Sequence, residues 1–162
     1  MNIKKKLEDY LNSYLVDGHV EFKAAKAFRM RSSAFECASA DINTYIDDNK
    51  EDDTFQTKLF KYIDEKELKD SDVYNKVDID RRLFSKIRSN KDYHPSKETI
   101  ILLGLALELD EHEIEDLLKS ASYSLPMNTT FDLIVRFCFK EKIYDVNKVN
   151  EFLYDHECKL LN

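Results

Sequence analysis

The scarcity of glycine and proline constrains the fold of this chain more than any other feature of its sequence. Its 162 residues include only two glycines and two prolines. Tight β-hairpins depend on such residues, because their turns need positive φ angles or a fixed φ. The sequence therefore argues against a hairpin-rich β fold and favours helices that are joined by short polar turns.

The rest of the composition narrows the class of protein. Hydrophobic residues make up 43% of the chain and charged residues 35%, which is typical of a globular protein that buries a core. No run approaches the ~20 apolar residues that cross a bilayer, and the basic N-terminus continues into an amphipathic segment, unlike a signal peptide. The three cysteines are far apart and form no CxxC pair, as expected for reduced thiols. We therefore expect a cytoplasmic protein without a membrane partner.

Apolar spacing and capping residues predict eight helices. The first covers residues 3–15, and the acidic segment DDNKEDD at 47–53 separates it from a helical body. The N-caps of seven further helices are placed at Thr54, at Asp70 or Ser71, at Asp80, Ser96 and Asp110, at Thr129 or Thr130, and at Asp145. The helix after Ser96, with the sequence ETIILLGLALEL, is apolar on nearly every side, so we expect it to be the buried centre.

The predicted helix at 80–89 begins an unusual concentration of positive charge. Between residues 81 and 97 there are six basic side chains and a single acidic one, Asp92, in a chain whose net charge is −7. Phe84 and Ile87 are expected on one side of the helix, with its basic residues on the opposite side. Two interpretations are open, a solvated helix face and a contact with nucleic acid. The net charge disfavours indiscriminate binding, because its field repels phosphate.

The order of motifs between residues 54 and 122 is distinctive. It comprises the apolar spacing of Val73, Val77, Ile79, Phe84 and Ile87, the run SKIRSN at 85–90, the pair Pro95-Ser96, and LALELDEHEIEDLL at 105–118. This region resembles the Cro/repressor-type (XRE, lambda-repressor-like) helix-turn-helix family. The family has the same order: a turn, a reading helix, a loop that ends in Pro-Ser, a buried helix, and a last helix with an acidic cap.

The resemblance implies the fold, the domains and the function. The fold would be all-α, with a lambda-repressor-like five-helix domain at 51–125. Two extra C-terminal helices at 126–162 would pack on that domain, and residues 1–50 would form an N-terminal appendage, part helical and part irregular. The implied function is that of a bacterial DNA-binding transcriptional regulator. Since one module contacts few base pairs, we expect a homodimer on double-stranded DNA.

The resemblance also implies roles for individual side chains. In the family, the positions that match Arg81, Arg82 and Lys86 face base edges, and arginine can bond guanine bidentately. We therefore expect base contacts from Arg81, Arg82, Ser85 and Lys86. Phosphate contacts are expected from Arg88, Ser89, Lys91, His94 and Lys97.

Catalytic and metal-binding patterns are weak. The pair His112-Glu113 begins like an H-E-x-x-H motif but lacks the second histidine, and His156 with Cys158 is an isolated pair near the C-terminus. No Gly-rich phosphate loop, nucleophile elbow or paired set of catalytic carboxylates occurs in the sequence. We expect no enzymatic activity, no cofactor and no metal.

Two questions stay open at this level. The pattern from Asp70 to Leu109 also looks like a module in the C-terminal part of larger bacterial proteins, which implies a protein-interaction module of a signalling or defence assembly with little or no DNA binding. Asp70 and Asp72 favour this alternative, because carboxylates face a phosphate unfavourably. Residues 19–40 interleave aromatic and basic side chains, and this pattern fits a protein partner or self-association, nucleic acid, or an arm packed on the domain.

Overall fold

The computed structural model describes residues 3–15, 44, 54–91 and 93–161. Its helices are α1 (Ile3–Leu15), α2 (Phe55–Glu65), α3 (Asp70–Lys76), α4 (Arg81–Ser89), α5 (Lys97–Ala106), α6 (Glu111–Ser120), α7 (Thr130–Lys140) and α8 (Val146–Asp155). No strand occurs within these ranges, which confirms the all-α prediction for this part of the chain. The segments at 19–40 and 47–53, for which the sequence suggested an interaction role and a linker, lie outside the described residues.

Short polar side chains start most of these helices at the predicted positions. The carboxylate of Asp80 accepts a hydrogen bond from a backbone N–H of α4 at 2.6 Å, and the hydroxyl of Ser96 accepts one from α5 at 3.2 Å. Asp110 and Glu113 form the predicted reciprocal capping box, in which Glu113 accepts the backbone N–H of Asp110 at 2.7 Å. Each cap satisfies N–H groups that a helix leaves without partners.

The start of α3 differs from the prediction. Its N-cap is Lys69, whereas the sequence placed the cap at Asp70 or Ser71. Asp70 is already helical, and the carboxylate of Asp72 accepts the backbone N–H of Lys69 at 3.4 Å. The capping preference was misleading because two aspartates and a serine follow one another, and a carboxylate within the first turn also complements the helix dipole.

Six helices end with a residue in the left-handed conformation, and none of these residues is glycine. They are Glu67, Asp78, Glu108, Ser122, Lys142 and Glu157, with φ between 52° and 60°. The next residue in each case donates its N–H to a carbonyl five residues earlier, as Leu109 does to Gly104 at 3.1 Å and Cys158 to Leu153 at 2.8 Å. This is the Schellman arrangement, which usually has glycine at the left-handed position. These six helices thus end without glycine and accept local backbone strain.

Replacing one of these residues by glycine should therefore stabilise the protein. We expect Ser122→Gly to raise the free energy of unfolding by about 1 kcal/mol, because glycine adopts positive φ without strain. Ser120→Gly, at the last residue of α6, is the matched control. Its φ is not positive, so glycine relieves no strain there and should lower stability by up to about 0.5–1 kcal/mol. Urea unfolding followed by circular dichroism measures both changes, and an equal loss of stability in the two variants would contradict the assignment of strain.

Helix α5 is the centre of the hydrophobic core. Every residue from Ile100 to Leu107 is buried, as the apolar sequence predicted, and α5 packs against α3 and α6. Gly104 allows the close approach of α6, since a Cβ at this position would overlap the Cδ1 atom of Ile114. From Ile100 onward the helix has no solvated side, so its neighbours must cover its whole circumference there.

Truncation of a central side chain tests the role of α5. Leu103 has no exposed surface, so Leu103→Ala should lower the free energy of unfolding by about 2–5 kcal/mol through lost burial and a residual cavity. Leu83→Ala, at a partly buried position in α4, is the control and should have a smaller effect. Urea unfolding measures both, and equal losses would show that α5 is not the centre of the core.

Helix α1 forms over the predicted range and packs on the C-terminal helices. Leu7 and Leu11 are buried, and the ring of Tyr10 lies 5.3 Å from that of Phe137 in α7. Lys4 forms ion pairs with two carboxylates of α8 at 2.7 and 3.0 Å. The contacts of α1 are therefore with the last two helices of the described chain. No helix within the described ranges is both long and apolar enough to cross a membrane.

Candidate nucleic-acid interface

Helix α4 presents two polar stripes, each with the spacing i, i+4, i+7 that places side chains on one side of a helix. Arg81, Ser85 and Arg88 form the first stripe, which lines a cleft of about 400 Å³ between α3 and α4. Phe84 and Tyr74 supply the apolar part of the cleft, and Asp70 and Ser71 of α3 lie on its opposite side. The first stripe therefore faces a neighbouring helix as well as solvent.

The second stripe consists of Arg82, Lys86 and Ser89, all of which are exposed. The ammonium of Lys86 lies 4.5 Å from the centroid of the Tyr93 ring, a distance that permits a cation–π contact. Such a contact orients the side chain while leaving its charge accessible. Within the described ranges, Arg81, Arg82 and Lys86 form no ion pair, so three cations of α4 remain open to an external anion.

Arg88 is different from its neighbours because its charge is already compensated. Its Nη2 atom lies 2.6 Å from Oδ1 of Asp70, and its guanidinium lies 4.2 Å from the centroid of the Phe60 ring. Aromatic contact on one side and a carboxylate at its edge define the position of this guanidinium. Of the basic residues on α4, Arg88 is thus the one whose charge is already paired with a carboxylate.

Contacts from α2 hold α4 in place. The side-chain amide of Gln56 donates to the carbonyl of Ile87 at 3.0 Å and also to that of Arg88. The ring of Phe84 lies edge-on to that of Phe60, with centroids 6.2 Å apart. Gln56 was not identified from the sequence, because a side chain that caps another helix leaves no local pattern. Its two hydrogen bonds satisfy carbonyls that the end of α4 would otherwise leave without partners.

Removal of this amide should weaken the attachment of α4. We expect Gln56→Ala to lower the free energy of unfolding by about 0.5–1.5 kcal/mol, the usual net contribution of a hydrogen bond. Lys61→Ala, at an exposed position of the same helix, is the control and should change stability by less than about 0.5 kcal/mol. Urea unfolding compares the two variants, and a neutral Gln56→Ala would show that the amide contributes nothing to the site.

Apart from Arg88, which is paired with Asp70, the expected phosphate ligands divide into two groups. Ser89, Lys91 and His94 are exposed, and the ring of His94 packs against that of Tyr123 with centroids 5.2 Å apart. Lys97 instead forms an ion pair with Asp132 of α7, at 2.5 Å between Nζ and Oδ1. The first group extends the basic surface beyond the end of α4, whereas Lys97 is directed to a different partner.

The environment of Asp132 accounts for the position of Lys97. Only 6% of the Asp132 side chain is exposed, and its second oxygen accepts the hydroxyl of Thr129 at 2.7 Å. Burying a carboxylate is unfavourable unless it is paired and hydrogen-bonded. Lys97 therefore compensates a buried charge at the start of α7. The sequence did not indicate this contact, because the two residues are 35 positions apart.

The two described cysteines, Cys138 and Cys158, contribute little to the surface chemistry. Burial raises the pKa of the Cys138 thiol to about 12, and burial also raises the pKa of Cys158. Neither thiol is deprotonated near neutral pH, so neither is an activated nucleophile. In the part of the chain that the structure covers, no three histidine, cysteine or carboxylate side chains are grouped in a way that could hold a metal ion.

Comparisons of the chain with protein-family models, with curated proteins and with solved structures gave no match. Membership of the Cro/repressor family therefore stays a prediction from the sequence motifs. The geometry establishes a short helix with exposed, uncompensated cations, which is attached to its neighbours through aromatic and amide contacts. Such a surface is suited to bind anions of a partner.

Proposed function

We propose that this chain is a bacterial DNA-binding transcriptional regulator, in which α3 and α4 form a lambda-repressor-like helix-turn-helix and α4 enters the major groove. The observation that carries the proposal is the set of exposed side chains on α4. Arg81, Arg82 and Lys86 have no ion-pair partner among the described residues. An acidic chain that leaves these cations uncompensated on one helix has a surface complementary to a polyanion.

The dimensions of α4 support this role. An α-helix with its side chains is about 10–12 Å in diameter, which fits the ~12 Å width of the major groove, and the nine residues of α4 span roughly 13 Å along its axis. Arg81 and Arg82 at its start would contact guanine edges bidentately, with Ser85 and Lys86 one turn further on. The turn before α4 is tight, with Asp78 in the left-handed conformation at φ 55°.

Phosphate contacts would come from the last residue of α4 and from the residues that follow it. Ser89, Lys91 and His94 are exposed there and would fix the orientation of the protein without reading sequence. Lys97 is not part of the proposed interface, since it is paired with Asp132. We further propose a cytoplasmic homodimer, because a single nine-residue helix contacts only a few base pairs.

Two alanine variants separate base contacts from phosphate contacts. Arg82→Ala should weaken binding to the preferred duplex by about 1–3 kcal/mol and relax the preference at one base position. Lys91→Ala should weaken binding to all sequences equally and reduce the salt slope by about one unit. Selection from a random duplex library, followed by fluorescence anisotropy in a salt series, measures both effects.

The matched control is Lys148→Ala, which removes an exposed lysine from α8. It changes the net charge by the same amount and should leave DNA affinity nearly unchanged. If the wild-type protein binds no duplex even at low salt, where charge contacts are strongest, the DNA-binding proposal is wrong.

The alternative is a protein-interaction module of a signalling or defence assembly. The observation that favours it is the acidic start of α3. Asp70 and Asp72 both lie in the first turn of this helix, and Asp70 also lines the cleft. Affinity capture with the wild-type chain and with an Arg81→Ala/Arg82→Ala variant, analysed by DNA sequencing and mass spectrometry, distinguishes the two functions. Capture of the same proteins and no DNA by both forms would favour the alternative.

A further inference from the structure

The cleft between α3 and α4 places one carboxylate directly beside the basic stripe. Asp70 holds Arg88 through a contact of 2.6 Å between Oδ1 and Nη2. Arg88 shares its side of α4 with Arg81 and Ser85, all three of which line this cleft. The cleft therefore contains two cations of α4, of which one, Arg81, is available to a ligand.

The ion pair between Asp70 and Arg88 affects binding at the surface more than it affects the stability of the fold. About half of the Arg88 side chain is exposed, 53%, and 35% of that of Asp70. Water screens a pair with this exposure, so its contribution to stability is small. A pair that adds little stability but compensates a charge at a binding surface has its main effect on what binds there.

Arg88 would otherwise be well placed to hold a phosphate. Its guanidinium is stacked 4.2 Å above the centroid of the Phe60 ring, and the aromatic contact does not depend on Asp70. Arginine forms charge-assisted and often bidentate hydrogen bonds to phosphate. Removal of Asp70 would therefore leave an oriented, uncompensated guanidinium in the cleft.

We propose that Asp70 limits the affinity of this surface by withholding Arg88 from the phosphates of duplex DNA. This inference rests on the proposed function, and it identifies Asp70 as the residue that sets the number of phosphate contacts. The contact that it prevents is independent of sequence. Without this phosphate contact, a smaller share of the binding free energy comes from the DNA backbone. Base contacts by Arg82 and Lys86 then determine which DNA sequence the protein prefers.

The salt dependence of binding tests the proposal directly, because the slope of log K against log salt counts the phosphates contacted. Asp70→Asn keeps the size and polarity of the side chain but releases Arg88. In anisotropy titrations with a mixed-sequence duplex, it should bind roughly tenfold more tightly at low salt and steepen the slope by about one unit. Arg88→Ala alone should leave the slope unchanged, since Arg88 makes no phosphate contact in the wild-type protein.

The double variant and a matched control show whether Arg88 carries the effect. In the Arg88→Ala background, Asp70→Asn should no longer steepen the slope, because no cation remains to be released. Asp72→Asn removes the same charge from the same turn of α3, from a carboxylate bonded to the Lys69 N–H and not to an arginine. It should also leave the slope unchanged. Thermal unfolding of each variant establishes that it is folded.

The outcomes separate this inference from the proposed function. If Asp70→Asn leaves the slope unchanged, or steepens it equally in the Arg88→Ala background, the inference is overturned while DNA binding by the wild type stands. An equal effect of Asp72→Asn would also overturn it, since the cause would then be general charge. If neither the wild type nor Asp70→Asn binds duplex at low salt, the proposed function fails and the inference fails with it.

Discussion

The burial of α5 on every side from Ile100 onward is the constraint on which the rest of the structure depends. Because an apolar helix surface is unfavourable in water, the neighbouring helices must pack around α5 and cover it. α3 and α6 pack directly against it. The aromatic contacts among Phe84, Phe60 and Tyr74 then fix α4 to that arrangement. A nine-residue helix is too short to be stable alone, so its geometry at the surface derives from this core.

The distribution of ion pairs determines where the surface of the protein carries uncompensated positive charge. Elsewhere in the described chain many basic side chains lie against carboxylates, as Lys58 does with Asp116 and Lys76 with Glu108. Arg88 and Lys97 are also paired with carboxylates, whereas Arg81 and Arg82 in the first turn of α4 are not. Compensated charges contribute little to a long-range field, whereas uncompensated ones attract an opposite charge. An acidic protein can in this way carry a localised basic surface.

The sequence predicted those structural features that depend on residues close to one another along the chain. Helix starts at Asp80, Ser96 and Asp110 follow from a side chain and an N–H two or three residues apart, and the buried α5 follows from its uniform apolar composition. The contacts that distinguish the candidate site join residues far apart in the chain. Gln56 reaches α4 across 31 residues, and Asp70 reaches Arg88 across 18. Periodicity carries no information about such pairs, because they depend on how complete helices pack. The helix-turn-helix interpretation rests on motif order and awaits its DNA-binding test.

The packing of α1 on the last two helices has a consequence for biosynthesis. Lys6 and its partner Glu141 are separated by 135 residues. At roughly 5–20 residues per second, a ribosome adds α7 on the order of ten seconds after α1. Throughout that interval Leu7 and Leu11 lack the surface that later covers them. The nascent chain therefore emerges with an amphipathic helix whose apolar side is uncovered, and a chaperone can bind that side until α7 and α8 are made.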